Sequence, residues 1–172
     1  DPYKQVATGY SQFDLLQKFS ILQGKNVKHG INLQVSNSTD VPRYDRLTET
    51  SNGIAKNAEW YYGPQFRTLM AYQFDAYKLA GFFNEITFNL NHQFWEESRH
   101  NRSFKKTALN HRTEKINVAG YNFAMRHKDD INEFTLGTDA QFNFLKSTAF
   151  KEDIVTGAQA KIDTRYPDGT NN

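Results

Sequence analysis

The chain has 172 residues, with 14 Phe and 9 Tyr, no cysteine, a formal net charge of +2 and a mean hydropathy of −0.76. The missing cysteines exclude disulfide scaffolds, thiolate zinc sites, iron–sulfur clusters and cysteine nucleophiles. No window reaches the roughly 18 consecutive apolar residues of a membrane-spanning helix, the ring content argues against disorder, and the near-neutral charge gives no bulk case for nucleic acid.

The first residues, Asp1-Pro2-Tyr3-Lys4, carry neither an initiator Met nor an apolar leader core, so a mature product or an excised piece is expected. From there the dominant signal is alternation with a period of two, which places successive side chains on opposite faces of a strand. Phe13, Leu15, Phe19 and Ile21 share one parity, with Leu16 and Leu22 as exceptions. In the second run Ile31, Leu33 and Val35 oppose Asn32, Gln34 and Ser36. In the third, Thr68, Met70, Tyr72 and Phe74 oppose Arg67, Gln73 and Asp75. The fourth sets Ile86, Phe88, Leu90 and Phe94, with His92, against Glu85, Thr87, Asn89, Asn91 and Gln93. The fifth, about Lys115 to Arg126, is mixed: Ile116 and Val118 fall on one parity and Tyr121, Phe123 and Met125 on the other. The sixth sets Phe134, Leu136, Ala140 and Phe142 against Glu133, Thr135, Asp139, Gln141 and Asn143.

Connections between these runs alternate in length. Short turns are expected at Gln23-Gly24-Lys25-Asn26, around Tyr77 to Gly81, and at His127-Lys128-Asp129-Asp130; long ones at about 37–60, about 96–112 and from about 144 onward. Most loops in compact domains run to about 4–6 residues and have no reason to alternate so strictly. Outer-membrane barrels do alternate in this way, with strands that are apolar toward lipid and polar toward the lumen. The expected fold is therefore all-β: an antiparallel, up-and-down transmembrane β-barrel segment of about six strands, with short periplasmic turns and long extracellular loops.

Several strings sharpen this. Asn37-Ser38-Thr39-Asp40-Val41-Pro42-Arg43-Tyr44-Asp45-Arg46-Leu47, Ala58-Glu59-Trp60-Tyr61-Tyr62-Gly63-Pro64-Gln65 and Glu96-Glu97-Ser98-Arg99-His100-Asn101-Arg102 follow one another, with Lys146-Ser147-Thr148-Ala149-Phe150 and Asp163-Thr164-Arg165-Tyr166-Pro167-Asp168-Gly169 further on. Together with the strands between them, they resemble the barrel of TonB-dependent outer-membrane receptors of the nutrient, heme or siderophore type. The resemblance implies a plugged barrel of 22 strands, of which residues 1–172 are a partial domain without the plug and remaining strands. It also implies residence in the Gram-negative outer membrane and contact with its lipid and lipopolysaccharide. The implied partners are the plug and the rest of the barrel, the TonB energy-transducing complex acting through the missing parts, and a surface lipoprotein where one exists. The implied activity is uptake of a scarce nutrient: a siderophore, heme, or a glycan or peptide.

Candidate ligand-binding residues lie in the expected extracellular loops. Arg43, Tyr44 and Arg46 form a basic, aromatic loop, and Trp60, Tyr61 and Tyr62 mark a strand end. Guanidinium forks suit carboxylate or phosphate, with rings to stack on the ligand, while the same residues also suit an interfacial aromatic girdle with arginines that fix loop shape. Arg99, His100 and Arg102 open a basic stretch running to Arg112, bracketed by Glu96, Glu97 and Glu114, which reads as a solvated loop or an anion-facing surface. Nucleic acid is not an expected partner. His100 and His111 lack a compact metal-ligand spacing, so no metal and no cofactor are assigned. There is no Gly-rich phosphate loop, nucleophile elbow or HExxH helix, so no catalytic residue is assigned and the chain is not expected to be an enzyme. Two other classes share the alternation: a small secreted ligand-binding barrel of lipocalin-like size, and a non-transporting outer-membrane barrel for adhesion or assembly.

Overall fold

A computed structural model describes residues 6–167 and 169–171. Residues 1–4, read above as a start without a leader, and Asp168 within the Asp163 to Gly169 string lie outside the described residues. In chain order the elements are β1 (Gln12–Gln23), β2 (Val27–Ser38), β3 (Val41–Pro42), α1 (Tyr44–Leu47), β4 (Thr50–Ser51), β5 (Ile54–Ala55), β6 (Asn57–Tyr62), β7 (Phe66–Tyr77), β8 (Glu85–Ser103), β9 (Ala108–Lys128), β10 (Glu133–Asp153), β11 (Gln159–Lys161) and β12 (Gly169–Asn171). The six expected strands are β1, β2, β7, β8, β9 and β10. They pair antiparallel, in that order, in a single sheet.

Because directly opposed residues share a face, the register shows how alternation is used. Phe19, Ile31, Tyr72, Leu90, Tyr121 and Ala140 stand side by side across the six strands. One residue earlier or later, on the reverse face, stand Lys18, Asn32, Ala71, Asn91, Gly120 and Gln141. The sheet therefore has one apolar face and one face of Asn, Gln, Ser and Thr. The mixed fifth run resolves the same way. β9 pairs with both neighbours without a register shift, so Ile116 and Val118 lie on the polar face and Tyr121, Phe123 and Met125 on the apolar one. His92 lies inside the apolar band between Met70 and Ala119. On that same face His29 Nδ1 and the Tyr72 hydroxyl satisfy each other at 2.8 Å.

Neither face is covered. Among the described residues the buried apolar side chains are Ala76, Leu109 and Ala149, whereas Phe13, Leu15, Phe19, Ile21, Met70, Leu90, Phe134 and Leu136 are each between 49% and 61% exposed. A sheet with one apolar face must bury it against a second layer or an apolar solvent, and no second layer is present among the described residues. The sheet is also open. No described strand pairs with the outer edge of β1, and the outer edge of β10 carries only β12 at Asn143–Leu145 and β11 at Phe150–Glu152.

The expected short turns are found at one end of the sheet. The expected long connections differ from the reading above. Residues 96–112 are not a loop: β8 and β9 continue as a two-stranded ribbon and turn only at residues 104–107. β10 likewise runs on to Asp153, so these strands reach 19 to 21 residues, longer than the alternating runs read from the sequence. The connection at 37–60 is itself folded. β3 pairs with β6, and β6 takes the place of β7 beside β8 from Arg99 to Ser103. The change from β6 to β7 occurs at Gly63, whose φ of +97° is costly for any residue with a Cβ, and a Cβ there would stand 3.0 Å from the Thr39 carbonyl.

Candidate functional site

Above the apolar band, β6 sets the geometry. Its pairing with β8 puts Trp60 opposite Asn101 and Tyr62 opposite Arg99 on the polar face, and Glu59 opposite Arg102 and Tyr61 opposite His100 on the reverse. The candidate set read from the sequence is thereby divided in two.

On the polar face, Trp60 and Tyr62 meet edge to face with ring centroids 4.7 Å apart. Three guanidiniums surround them. Arg43 lies 5.5 Å from the Trp60 centroid and 5.4 Å from Tyr62, Arg99 lies 5.7 and 5.2 Å from the same rings, and Arg46 lies 5.6 Å from Trp60. Such placements are attractive because the ring faces are negative. Two of the three cations are neutralised locally: Arg43 binds Asp45 with two hydrogen bonds of 2.8 and 2.7 Å, and Arg46 binds Glu49 at 2.5 Å. The Asp45 hydrogen bond holds the Arg43 guanidinium above its ordinary value. Arg99 differs in forming no ion pair among the described residues; its Nε, like that of Arg46, is buried there with no hydrogen-bond partner. Beside it Glu114 has an unpartnered Oε1, and burial raises its carboxyl above the ordinary range despite Arg165 and Arg99 nearby. Arg99, Glu114, Tyr62, Ile116, Leu145 and Arg165 line an open cleft of about 390 Å³. It sets the Arg99 and Arg165 guanidiniums and the rings of Tyr62 and Tyr166 beside the Glu97 and Glu114 carboxylates; guanidiniums with ring faces are the chemistry that takes a carboxylate or phosphate together with a planar or sugar group.

On the reverse face a row of rings crosses four strands. Tyr61 stacks on His100 at 4.6 Å, His100 meets His111 at 4.8 Å, and His111 stacks on Phe150 at 4.6 Å. Arg102 is held there by Glu59, its Nε donating at 2.7 Å. Of the nine candidates, Arg43, Arg46, Trp60, Tyr62 and Arg99 are brought together. Tyr61, His100 and Arg102 belong to the other face. Tyr44 stands exposed on α1 and makes no ring contact among the described residues.

The reading from sequence missed Glu114 and Arg165, and also a pattern in plain view. Glu97-Ser98-Arg99-His100-Asn101, read backwards, is matched by Asn110-His111-Arg112-Thr113-Glu114. In the ribbon each residue faces its chemical twin: Glu97 faces Glu114, Ser98 Thr113, Arg99 Arg112, His100 His111 and Asn101 Asn110. Like charges directly opposed destabilise a sheet, so the arrangement costs the ribbon stability while concentrating one chemistry at each level. No family model, curated protein or solved structure matches the chain.

Proposed function

We propose that the chain is part of the wall and extracellular rim of a TonB-dependent outer-membrane receptor, which takes up a scarce nutrient such as a siderophore, heme, or a glycan or peptide. One observation carries this reading: a single-layer antiparallel sheet with one continuous exposed apolar face and one polar face. Exposed apolar patches on monomeric water-soluble proteins rarely exceed a few hundred Å², and a band across six strands exceeds that scale. From Phe134 to Phe144, the steps between successive residues, about 3.4 Å each and tilted by about 40°, give a band roughly 26 Å tall, close to the apolar belt of outer-membrane barrels. Charged residues begin at its edge, where Glu96, Lys115 and Lys146 share one level of the lipid-side face, suited to the phosphates of lipopolysaccharide. The polar face lines the lumen around a plug, and the open edges of β1 and β10 receive neighbouring strands of the barrel. The cleft lined by Tyr62, Arg99 and Arg165, with Trp60 against Tyr62, then lies on the lumen side of the extracellular rim, in the path of an incoming anionic ligand.

Because the chain has no cysteine, single cysteines test this directly in the intact protein. Spin labels at Met70 and Leu90 are expected to be reached by a lipid-soluble relaxant, and labels at Asn89 and Gln141 by a water-soluble one. Equal access by the water-soluble reagent at all four, in a protein that stays monomeric without detergent, overturns the membrane reading. Growth of a receptor-deletion strain on defined iron, heme and glycan or peptide sources then identifies the nutrient. A deletion strain that grows normally on all of them would favour an adhesion or assembly barrel.

A further inference from the structure

The His100 and His111 pair lies on the face turned away from the cleft, and the uptake reading makes no use of it. The two residues are directly opposed in an antiparallel pair, so they are related by a local twofold axis normal to the sheet and present like atoms to each other. Their Nδ1 atoms are 2.7 Å apart. The remote nitrogens settle which forms these rings take. Ser98 Oγ donates to the Gly63 carbonyl at 2.7 Å, so at 3.0 Å from His100 Nε2 it accepts, and the proton of neutral His100 is on Nε2. The His100 Nδ1 lone pair therefore points at His111. His111 Nε2 is buried without a hydrogen-bond partner among the described residues and lies 3.8 Å from the Glu152 carboxylate, which attracts a proton or a positive ring at that nitrogen. With that nitrogen protonated, both Nδ1 atoms turn toward one point that calls for a positive charge between or upon them.

We infer that this point is a binding site for a borderline divalent transition ion of the zinc class, held by His100 Nδ1 and His111 Nδ1 with water completing the shell. Zn–N bonds of 2.0–2.1 Å in a tetrahedral shell set the two nitrogens about 3.3 Å apart, so the rings need to part by only about 0.6 Å. The site is supported as metal-binding histidines usually are. Each ring has an acceptor near its other nitrogen, Ser98 for His100 and Glu152 for His111. Each is also clamped from outside by a stacked aromatic, Tyr61 on His100 at 19° and Phe150 on His111 at 15°. Four-carboxylate or thiolate metals have no donors here; imidazole suits Zn²⁺, Ni²⁺ and Cu²⁺.

The test is titration of the intact protein with Zn²⁺ alone, and with Cu²⁺ as a spectroscopic probe. Wild type is expected to take up one equivalent of Zn²⁺, with binding weakened about tenfold or more by H100F or H111F, and several-fold by E152Q. The phenylalanine variants keep the ring stacks and remove only the nitrogens, so loss of binding in a variant with unchanged thermal unfolding supports the site. Bound Cu²⁺ is expected to show coupling to two nitrogens in its electron paramagnetic resonance spectrum and to one in H100F. Absence of Zn²⁺ uptake by wild type, or uptake unchanged in both phenylalanine variants, overturns the inference and leaves the pair as a shared-proton contact. The outcome is independent of whether the protein transports a nutrient.

Discussion

The hairpin of β8 and β9 contains two regions built on the same ladder and used differently. From Glu85 to Trp95 against Ile116 to Arg126, one face is mainly apolar and the other mainly polar, with Val118, Trp95 and Ile116 the apolar exceptions at the upper end of the polar face, and identical residues oppose each other only at Phe88 with Phe123 and Asn89 with Asn122. From Glu97 to Asn101 against Asn110 to Glu114, both faces are polar and every residue meets its like. In the lower region, alternation encodes which of two environments a side chain meets, and chemistry is secondary. In the upper region both faces of the ribbon carry polar side chains, and the ladder sets functional groups at fixed separations. One strand pair thus supplies a wall below and two distinct sites above, a guanidinium and aromatic cleft on one side and an imidazole pair on the other.

The sharpest way to break this comparison is to put a charge on each face of the lower region. Leu90→Arg, at the centre of the apolar band, is expected to cost about 2–4 kcal/mol or to prevent assembly, whereas Asn89→Arg on the reverse face costs under about 0.5 kcal/mol. Denaturant unfolding of the intact protein in lipid vesicles measures both. Equal effects at the two positions would mean that the faces do not meet different solvents. In the upper region the expected contrast is in ligand binding. Under the proposed uptake function, Arg99→Ala removes the guanidinium beside Trp60 and Tyr62 that forms no ion pair among the described residues, a loss of about 2 kcal/mol, or roughly thirtyfold in affinity for the nutrient that supports growth. Arg102→Ala, three residues along but on the other face, breaks the ion pair with Glu59 and the hydrogen bond to the Lys106 carbonyl, and is expected to leave that affinity within about twofold while lowering stability by up to about 1 kcal/mol. Trp60→Ala, which takes away the ring shared by Arg43, Arg46 and Arg99, is expected to fall between them at about 1–2 kcal/mol of affinity.

What could be read in advance follows the same division. The six long strands were legible because Ile31, Leu33 and Val35, or Phe88 and Leu90, alternate against amides under strong solvent selection, and period two has few other causes. The upper ribbon was read as a loop because Glu96 to Arg112 is polar on both parities, so burial leaves no period to detect even though the backbone pairs throughout. The division of the candidates followed from the same blind spot. Trp60, Tyr61 and Tyr62 look like one aromatic cluster in sequence, and only knowledge that they are in a strand sends Tyr61 to the opposite face. The meeting of His100 and His111 needed the turn at residues 104–107, because their sequence spacing matches no compact metal motif. The mirrored order of the two five-residue runs was the available signal for it.

The smallest expected effect compares the two ends of the ladder. At the hairpin end Asp153 accepts from Thr107 Oγ1 at 2.5 Å and from the amides of Val155 and Thr156 at 3.0 Å each, joining the start of β9 to the turn after β10. At the turn end Asp129 accepts from the amides of Ile131 and Asn132 at 2.8 and 2.6 Å. Both carboxylates are lowered to about 2, Asp153 chiefly by the Thr107 hydroxyl and Asp129 chiefly by the Asn132 amide. A carboxylate with a depressed value favours the folded turn when ionised, so this contribution is complete above the unfolded value near 3.8 and is lost as pH falls toward 2. Amide hydrogen exchange at Val155 and Thr156, corrected for intrinsic rates, is therefore expected to speed up between about pH 4 and pH 2, and Ile131 and Asn132 to do so over the same range. Asp153→Asn keeps an oxygen acceptor and removes the charge, so it is expected to flatten the pH response at Val155 and Thr156 while leaving that at Ile131 and Asn132 intact. A wild-type profile already flat at Val155 and Thr156 would mean that the turn is held by its backbone bonds, Ile154 to the Thr107 carbonyl and Gly157 to the Asp153 carbonyl, and not by the ionised carboxylate.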